Sequence, residues 1–304
     1  MNKRILITGG TGTVGKHLQK IIPNGTFLGR SHEHGGDLRD PQYVKWIMSS
    51  YAPDVVVHLA AKVGGIQENI QKPAEFFDDN ILINTNVLKY SYQHGVKQFI
   101  GILSTCIYPD KVSSYPMTEK DLFLGPPTST NFSYGYAKRA LAVQIDAYNQ
   151  QYGTKYNYLT PCNLYSEYDN FSNEKKMHFI TALLHKIKNS KGNIELLGDG
   201  TPLRQFMYAG DLAQVIKEVI DKEITESFNV ACPENYSIHE LATKTLGSLN
   251  KDLYIRYSNP TLNGQYRKDV SSDKLKKLLP EFKFTSFKKG IKKVYKHMSN
   301  TQKL

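Results

Sequence analysis

The sequence predicts an α/β fold, a doubly wound parallel sheet with a smaller, mostly C-terminal α/β lobe that would take the substrate. Three observations carry that expectation. Short apolar runs alternate with amphipathic segments through about the first 160 residues, the pattern of strands joined by helical crossovers. Glycines stand at 9, 12 and 15, where the first apolar run gives way to the first amphipathic segment. Tyr134 and Lys138 are four residues apart at the start of a later amphipathic segment, which places them on one helix face.

The elements follow in order. Residues 4–8 read as a first strand whose Ile5, Leu6 and Ile7 are buried on both faces, as a parallel strand requires. A helix is expected over 13–21, stopping before Pro23. Strands at 26–29 and 54–59 flank a helix over 41–51 that opens on Pro41. A long helix runs from Pro73 to near Gly95, followed by a strand at 97–103, a helix over 134–152 and a strand at 155–160. After Asn163 the alternation loosens. A helix near 177–188, a short strand at 194–197 and C-terminal helices belong to the smaller lobe. Residues 206–209, a helix N-capped by Asp211 and residues 227–231 read as returns to the main sheet. The expected division is 1–165 with 199–232 for nucleotide binding, and 166–198 with 233–304 for the second lobe.

Composition narrows the class. The 304 residues suffice for one large α/β unit plus a smaller lobe, or two modest domains. The longest apolar runs, 55–61 and 99–103, fall far short of the ~18 residues of a membrane helix. The first strand starts close to Met1, so no cleavable leader is expected. Cys106, Cys162 and Cys232 are odd in number and lack metal-ligand spacing, which points to a reduced compartment and no metal. The expectation is a cytoplasmic protein without a membrane partner.

The net charge is +11, and residues 251–304 hold 14 Lys and Arg against 4 Asp and Glu, a net of +10 that leaves +1 for the rest. Such a segment is a solvated basic face, a rim that attracts a small anion, or a nucleic-acid surface. The interleaved Leu275, Leu278, Leu279, Phe282, Phe284, Phe287, Ile291 and Tyr295 read as the buried side of packed helices. They favour the first reading and disfavour nucleic acid.

Gly9, Gly10, Thr11, Gly12, Thr13, Val14 and Gly15 form the strand-to-helix turn. Glycine lets backbone amides approach a pyrophosphate, whose charge suits a helix N-terminus. The same glycines would fit a plain tight turn, but their place between first strand and first helix selects a dinucleotide and hence a Rossmann sheet. After the second strand comes Arg30, where an acidic residue would hold a ribose diol. A guanidinium suits a 2′-phosphate, so NADPH is favoured over NADH, with Glu33 arguing the other way. Asp37 and Leu38 belong beside the adenine, with loop capping as the plainer role for Asp37.

Ser104 and Cys106 follow the fourth strand, at the sheet end where open α/β sheets place ligands. If the backbone stays extended there, residues two apart point the same way. Ser104 can hold a carbonyl oxygen, and a buried Lys138 ammonium beside Tyr134 would lower a phenol pKa that starts near ~10. That trio moves a proton on a carbinol oxygen while a hydride moves on its carbon. A nicotinamide reductase needs no thiol. Cys106 is therefore either inert packing or the acid/base of a second, proton-transfer reaction. His178 is a candidate partner, although a lone histidine is more often a plain surface or core residue.

The stretches HLAAKVGGI (58–66), LSTCIYPDK (103–111), NFSYGYAKR (131–139), PCNLY (161–165), GDGTPLRQFMY (198–208) and NGQYRK (263–268) together give a chain that resembles the GDP-L-fucose synthase family over nearly its whole length. These are extended short-chain dehydrogenases/reductases. Ser-Thr-Cys with a downstream His is the most specific part of the likeness. The resemblance implies Ser104, Tyr134 and Lys138 as the reductase trio. It implies Cys106 and His178 as the acid/base pair that inverts carbons 3 and 5 of GDP-4-keto-6-deoxy-D-mannose. NADPH would be lined by the glycine loop, Leu59, Ala60, Ala61, Ile102, Leu103, Ser104, Thr105, Tyr134, Lys138, Pro161, Cys162, Asn163, Leu164 and His178. Asn163, Lys186, Arg204 and Lys268 would meet the substrate, the last three at its GDP portion. A homodimer is implied through a four-helix bundle of 73–94 and 134–152. The chain departs from the family at Ser166, Glu167, Tyr168, Leu197 and Asn263, where Gly, Pro-His, Trp and an acidic residue are common. A related 4-keto-6-deoxy sugar such as a GDP-heptose is therefore the rival substrate. A non-catalytic NADPH-binding protein is a remote reading, because Tyr134 and Lys138 are intact.

Overall fold

A computed structural model of the chain describes residues 3–29, 36–171, 177–259 and 265–301. The first half alternates strictly: β1 (Ile5–Thr8), α1 (Thr13–Ile21), β2 (Thr26–Leu28), α2 (Pro41–Tyr51) and β3 (Val55–His58). A short α3 (Ile66–Gln71) precedes α4 (Pro73–Gln93), then β4 (Gln98–Ile102), α5 (Phe132–Tyr152) and β5 (Asn157–Pro161). Next come β6 (Asn163–Tyr165), α6 (Phe179–Asn189), β7 (Asn193–Leu197), β8 (Leu203–Arg204), β9 (Phe206–Tyr208), α7 (Ala209–Asp221) and β10 (Phe228–Val230). The chain closes with β11 (Tyr236–Ser237), α8 (Ile238–Leu249), β12 (Tyr254–Ser258), α9 (Asp273–Leu278) and α10 (Phe287–Thr301).

Six parallel strands form the central sheet in the order β2-β1-β3-β4-β5-β10. Since β2 and β3 flank β1, the chain reverses direction across the sheet there, and a crevice opens at the carboxyl ends of β1 and β3. The core explains the strands: Leu6, Ile7, Val55, Val56 and Val57 are at most 1 % exposed. Each such side chain stabilises by about 1.5–3 kcal/mol. On α5, Leu141, Ala142 and Ile145 are buried, one stripe of a helix, and the helix lies alongside α4. Helix α2 starts where Asp40 accepts from Gln42 N and Pro41 takes the first turn, and it stops at Ala52 in the left-handed conformation.

The second half corrects two expectations. Residues 206–209 do not return to the central sheet. Only Cys162 separates β5 from β6, and the bend carries β6 off the sheet, where it pairs in parallel with β9. The Asn163 side-chain amide ties the same two segments by donating to Gln205 O at 2.9 Å. Residues 228–230 do rejoin the sheet, beside β5. Asp211 is not an N-cap; Tyr208 occupies that place. The Asp211 carboxylate instead accepts from the Thr285 amide at 2.8 Å and hydroxyl at 2.7 Å, while still sitting in the first turn, where the helix dipole favours an anion.

The basic C-terminal helix follows the expected pattern. On α10, Ile291, Val294 and Met298 are buried, while Lys288, Lys289, Lys292, Lys293 and Lys296 are exposed. Leu275 and Leu279 are buried in the main core, with Leu278, Phe282 and Phe284 packed on it. No described helix is long and apolar enough to cross a membrane.

Candidate active site

The glycine loop occupies the crevice between β1 and β3. Gly9 has φ +70°, and a Cβ there would lie 2.8 Å from Ala60 N, so loop and post-β3 segment touch and the position needs glycine. The same contact appears as hydrogen bonds from Leu59 N to Thr8 O at 3.2 Å and from Ala60 N to the Thr8 hydroxyl at 3.3 Å. A Cβ on Gly15 would come within 2.3 Å of Gly10 O, which fixes how closely α1 approaches the strand. Gly12 is different. It caps α1 with no side-chain hydrogen bond, and a Cβ there would meet only Gly9 O, at 3.2 Å. The space before the first free amides of α1 thus suits an anionic pyrophosphate.

On the adenosine side, Arg30 with Ser31, His32 and Glu33 lies outside the described residues. Leu38 packs on the core. The Asp37 carboxylate accepts from the Arg39 amide at 2.9 Å and from its guanidinium, and Arg39 also pairs with Asp79 at 2.7 Å. These bonds suit the loop-capping role of Asp37.

Lys138 is 2 % exposed, and its Nζ donates to Ile102 O at 2.8 Å. Burial lowers its pKa from 10.5 to about 8. Tyr134, one turn earlier, does not show the lowered phenol expected from the sequence. Burial pushes it up, and the neighbouring Cys106 sulfur adds to the rise. The ammonium is committed to the end of β4, so without ligands it does not offset the phenol's desolvation.

Below this pair lies a buried chain of hydrogen bonds that the sequence did not single out. His58 is fully buried, with Nδ1 2.8 Å from the Thr8 hydroxyl and Nε2 3.0 Å from Asn84 Oδ1. Asn84 Nδ2 donates in turn to Ala137 O at 3.2 Å. Burial first, then the Lys138 charge, lowers His58 to about 3, so the ring is neutral. The chain ties β1, β3, α4 and α5 together one residue from Lys138.

The backbone stays extended only as far as Ser104, so the condition for a shared strand face is not met. Thr105–Ile107 forms a single 3-10 turn capped by Ser104, whose Oγ accepts from Cys106 N at 3.3 Å. The turn itself, rather than strand alternation, brings Ser104 and Cys106 together. Lys268 Nζ lies 2.9 Å from Cys106 Sγ, and the Ser104 and Asn131 side chains also act on the thiol. Burial is the largest influence and raises the thiol pKa. The Lys268 charge and hydrogen bond, with Ser104 and Asn131, outweigh it and leave the thiol below its ordinary value.

Lys186 and Arg204 line one cavity of about 210 Å³ together with Phe179, Leu197, Gly200 and Pro202. Arg204 also feels the Cys106 charge. His178 is the exposed N-cap of α6, next to Phe179 of the cavity wall; the hydrogen bond on the sulfur comes instead from Lys268. The helix of His178 is tied to the glycine loop through Asp169, which accepts from Thr13 and Thr181 hydroxyls at 3.0 Å each. Asp169, Asn131 and the sulfur contact of Lys268 were missed as site features, although the quoted NFSYGYAKR and NGQYRK stretches contain two of the three residues. Pro161, Cys162 and Leu164 stand at the β5–β6 bend, with Cys162 N donating to Val230 O at 3.0 Å.

Comparisons with known proteins agree with this geometry. Residues 5–231 match the profile of the NAD dependent epimerase/dehydratase family. A probable GDP-L-fucose synthase of Drosophila melanogaster is 34% identical, with 95% of each chain covered. The structure of a GDP-L-fucose synthetase from Naegleria fowleri bound to NADP superposes with a TM-score of 0.89 at 33% identity, covering 99% of this chain and 94% of that one. A GDP-6-OMe-4-keto-L-xylo-heptose reductase from C. jejuni reaches the same TM-score at 25% identity, covering 99% and 98%. The chain belongs to the NAD-dependent epimerase/dehydratase family, within its GDP-L-fucose synthase group.

Proposed function

We propose that this chain is an NADPH-dependent epimerase/reductase that converts GDP-4-keto-6-deoxy-D-mannose to GDP-L-fucose, inverting carbons 3 and 5 and then reducing carbon 4. The observation that carries the reading is a thiol held by Lys268 beside the Tyr134 phenol. A plain 4-reductase would need Ser104, Tyr134 and Lys138 alone.

The chemistry divides among the chain's own groups. A ketone at carbon 4 acidifies the hydrogens on carbons 3 and 5, and Cys106 and His178 remove and return protons on opposite faces. The Ser104 and Tyr134 hydroxyls hold the ketone oxygen as charge builds on it. Bound NADPH supplies the hydride for carbon 4. Tyr134 then gives its proton to the oxygen, and Lys138, anchored on Ile102, compensates the charge left behind. Gly12 and the start of α1 would hold the pyrophosphate, with Arg30 at the 2′-phosphate. Lys186 and Arg204 take the GDP portion in their cavity, and Asn163 lies on the sugar side.

We place the division at 1–165 with 199–232 and 166–198 with 233–304; the apolar cluster about Leu183, Ile194 and Leu246 falls wholly in the second part, whereas the large one also takes in Val270, Leu275 and Leu279. We also place the protein in the cytoplasm as a homodimer; the dimer, through α4 and α5, is supported by apolar side chains left exposed on those helices, Phe77, Leu82 and Val143. A GDP-heptose is the second reading, favoured by the C. jejuni likeness and by Leu197, 60% exposed, on the cavity wall.

The test is NADPH oxidation with GDP-4-keto-6-deoxy-D-mannose, NADH in parallel, and NMR of the product. GDP-L-fucose is the expected product, formed faster with NADPH. A 4-reduced but unepimerised sugar would reduce the protein to a plain reductase, and no turnover would move the substrate to a heptose.

A further inference from the structure

We propose that Lys268 is a positioning residue that keeps Cys106 as a thiolate in the ligand-free protein, so that Cys106 enters the reaction as the base. The use made of that thiolate rests on the proton exchange proposed above; the thiolate itself does not.

The argument begins with what faces the sulfur. Lys268 Nζ is 2.9 Å away, and the Ser104 and Asn131 side chains also act on the thiol. An ammonium can only donate, so it cannot take a thiol hydrogen, whereas a thiolate accepts its hydrogen bond and offsets its charge. The other charged or titratable groups in range are Arg204 from β8, a second cation, and Tyr134 from α5.

The lysine is held in place. Leu203 N donates to Tyr266 O at 2.8 Å on one side of it, and Met117 N donates to Asp269 O at 2.9 Å on the other. Val270 N is tied to Gln205 Oε1 at 2.9 Å. The adjacent cation, Arg267, is turned away onto Asp269 at 2.6 Å. Lys268 is thus the cation of this strap that the backbone delivers to the sulfur.

The step this permits balances without an added reagent. As the S–H bond forms, the C–H bond beside the ketone breaks. The electron pair moves to the ketone oxygen as an enolate held by Ser104 and Tyr134. A proton from the second acid then reaches the opposite face of the carbon.

The test uses the whole protein without sugar or NADPH. Iodoacetamide alkylation of Cys106 is followed against pH by mass spectrometry, with thiolate absorbance near 240 nm as a second readout and Cys106→Ser as the blank. Cys162 and Cys232 are 4 % and 6 % exposed and should react far more slowly. Wild type is expected to titrate below the ~8.5 of a free thiol. In Lys268→Met the midpoint should rise by at least about one unit, and in Lys268→Arg it should stay near wild type. A wild-type midpoint at or above the free-thiol value overturns the proposal without recourse to a variant. So does an unmoved midpoint in a folded Lys268→Met that still binds NADPH. Because no sugar is present, a wrong substrate for the enzyme leaves this result standing, and a failed thiolate leaves the choice of substrate standing.

Discussion

The two halves of the active site meet at Tyr134 and Cys106 and are built in opposite ways. Ser104, Tyr134 and Lys138 come from the end of β4 and the first turns of α5, with Lys138 bonded to Ile102 O and the His58–Asn84 chain beneath. That half is fixed by the central sheet. The thiol half is assembled from distant pieces: Asn131 before α5, Arg204 on β8, and Lys268 from a strap 162 residues further on. The reducing groups are therefore positioned by the part of the chain with the largest core, whereas the proton-exchanging group depends on how the second half closes over it. Changes in the strap should damage proton exchange and spare reduction.

Tyr134→Phe is the strongest way to sharpen the comparison. Loss of a general acid costs about 10²–10⁴-fold in rate, so NADPH oxidation should fall by that much. Deuterium wash-in at carbons 3 and 5 of the ketone should fall far less, since Ser104 still holds the oxygen. An equal loss in both would place Tyr134 in both halves and dissolve the division.

Cys106→Ser is the mirror experiment. A serine hydroxyl gives no anion near neutral pH, so deuterium wash-in should drop by about 10²–10⁴-fold. Reduction of substrate already inverted at carbons 3 and 5 should stay within a few-fold of wild type, because the hydroxyl can still fill the space beside Lys268. If reduction falls as far as wash-in, the thiol is part of the reducing half.

The same contrast decides what could be read from the sequence. The first half alternates strand and helix with short connections, and its glycines and Tyr–Lys pair are local patterns. The expected helices at 13–21 and 41–51 match the structure residue for residue. Reading failed where long-range contact overrules local pattern. Residues 206–208 have the apolar look of a sheet strand, but the bend at Cys162 offered them β6 instead. Asp211 has the chemistry of an N-cap, but Thr285 claims its carboxylate. The phenol of Tyr134 was expected to be lowered by a lysine whose ammonium proved to be bonded elsewhere. The sulfur contact of Lys268 had no signal at all, because spacing says nothing about residues 162 apart.

Acid should weaken the scaffold beneath the reducing half in a defined window. His58 has a folded pKa of about 3, below the ~6.5 of an unfolded histidine, so the unfolded chain takes up the proton first. The stability given by neutral His58 is complete above pH ~6.5 and is lost as pH falls towards 3, by about 3 kcal/mol at pH 4. Denaturant unfolding of wild type and His58→Gln at pH 7 and pH 4 reads this directly. The advantage of wild type should shrink by that order between the two pH values. A constant difference would mean the ring is not held neutral, and the rigidity claimed for this half would lose its support.

Asp169 offers the gentlest test, because among the described residues it is the one side chain that bonds the glycine loop and the helix of His178 at once. Its Oδ1 accepts from Thr13, while Oδ2 accepts from Thr181 and from Ser166 N at 3.1 Å. Asparagine keeps the shape and one acceptor, so Asp169→Asn must lose or reverse one set of these bonds, a cost of about 0.5–1.5 kcal/mol. If Thr13 is the group released, NADPH should bind about twofold to tenfold more weakly, with proton exchange unchanged. If Thr181 is released, the start of α6 loosens, and deuterium wash-in should fall by a similar factor at saturating NADPH. Asp169→Ala removes both sets and should lower the two together. Titration of NADPH fluorescence alongside the wash-in assay separates these outcomes. Should the alanine variant leave both unchanged, the bridge would be packing alone.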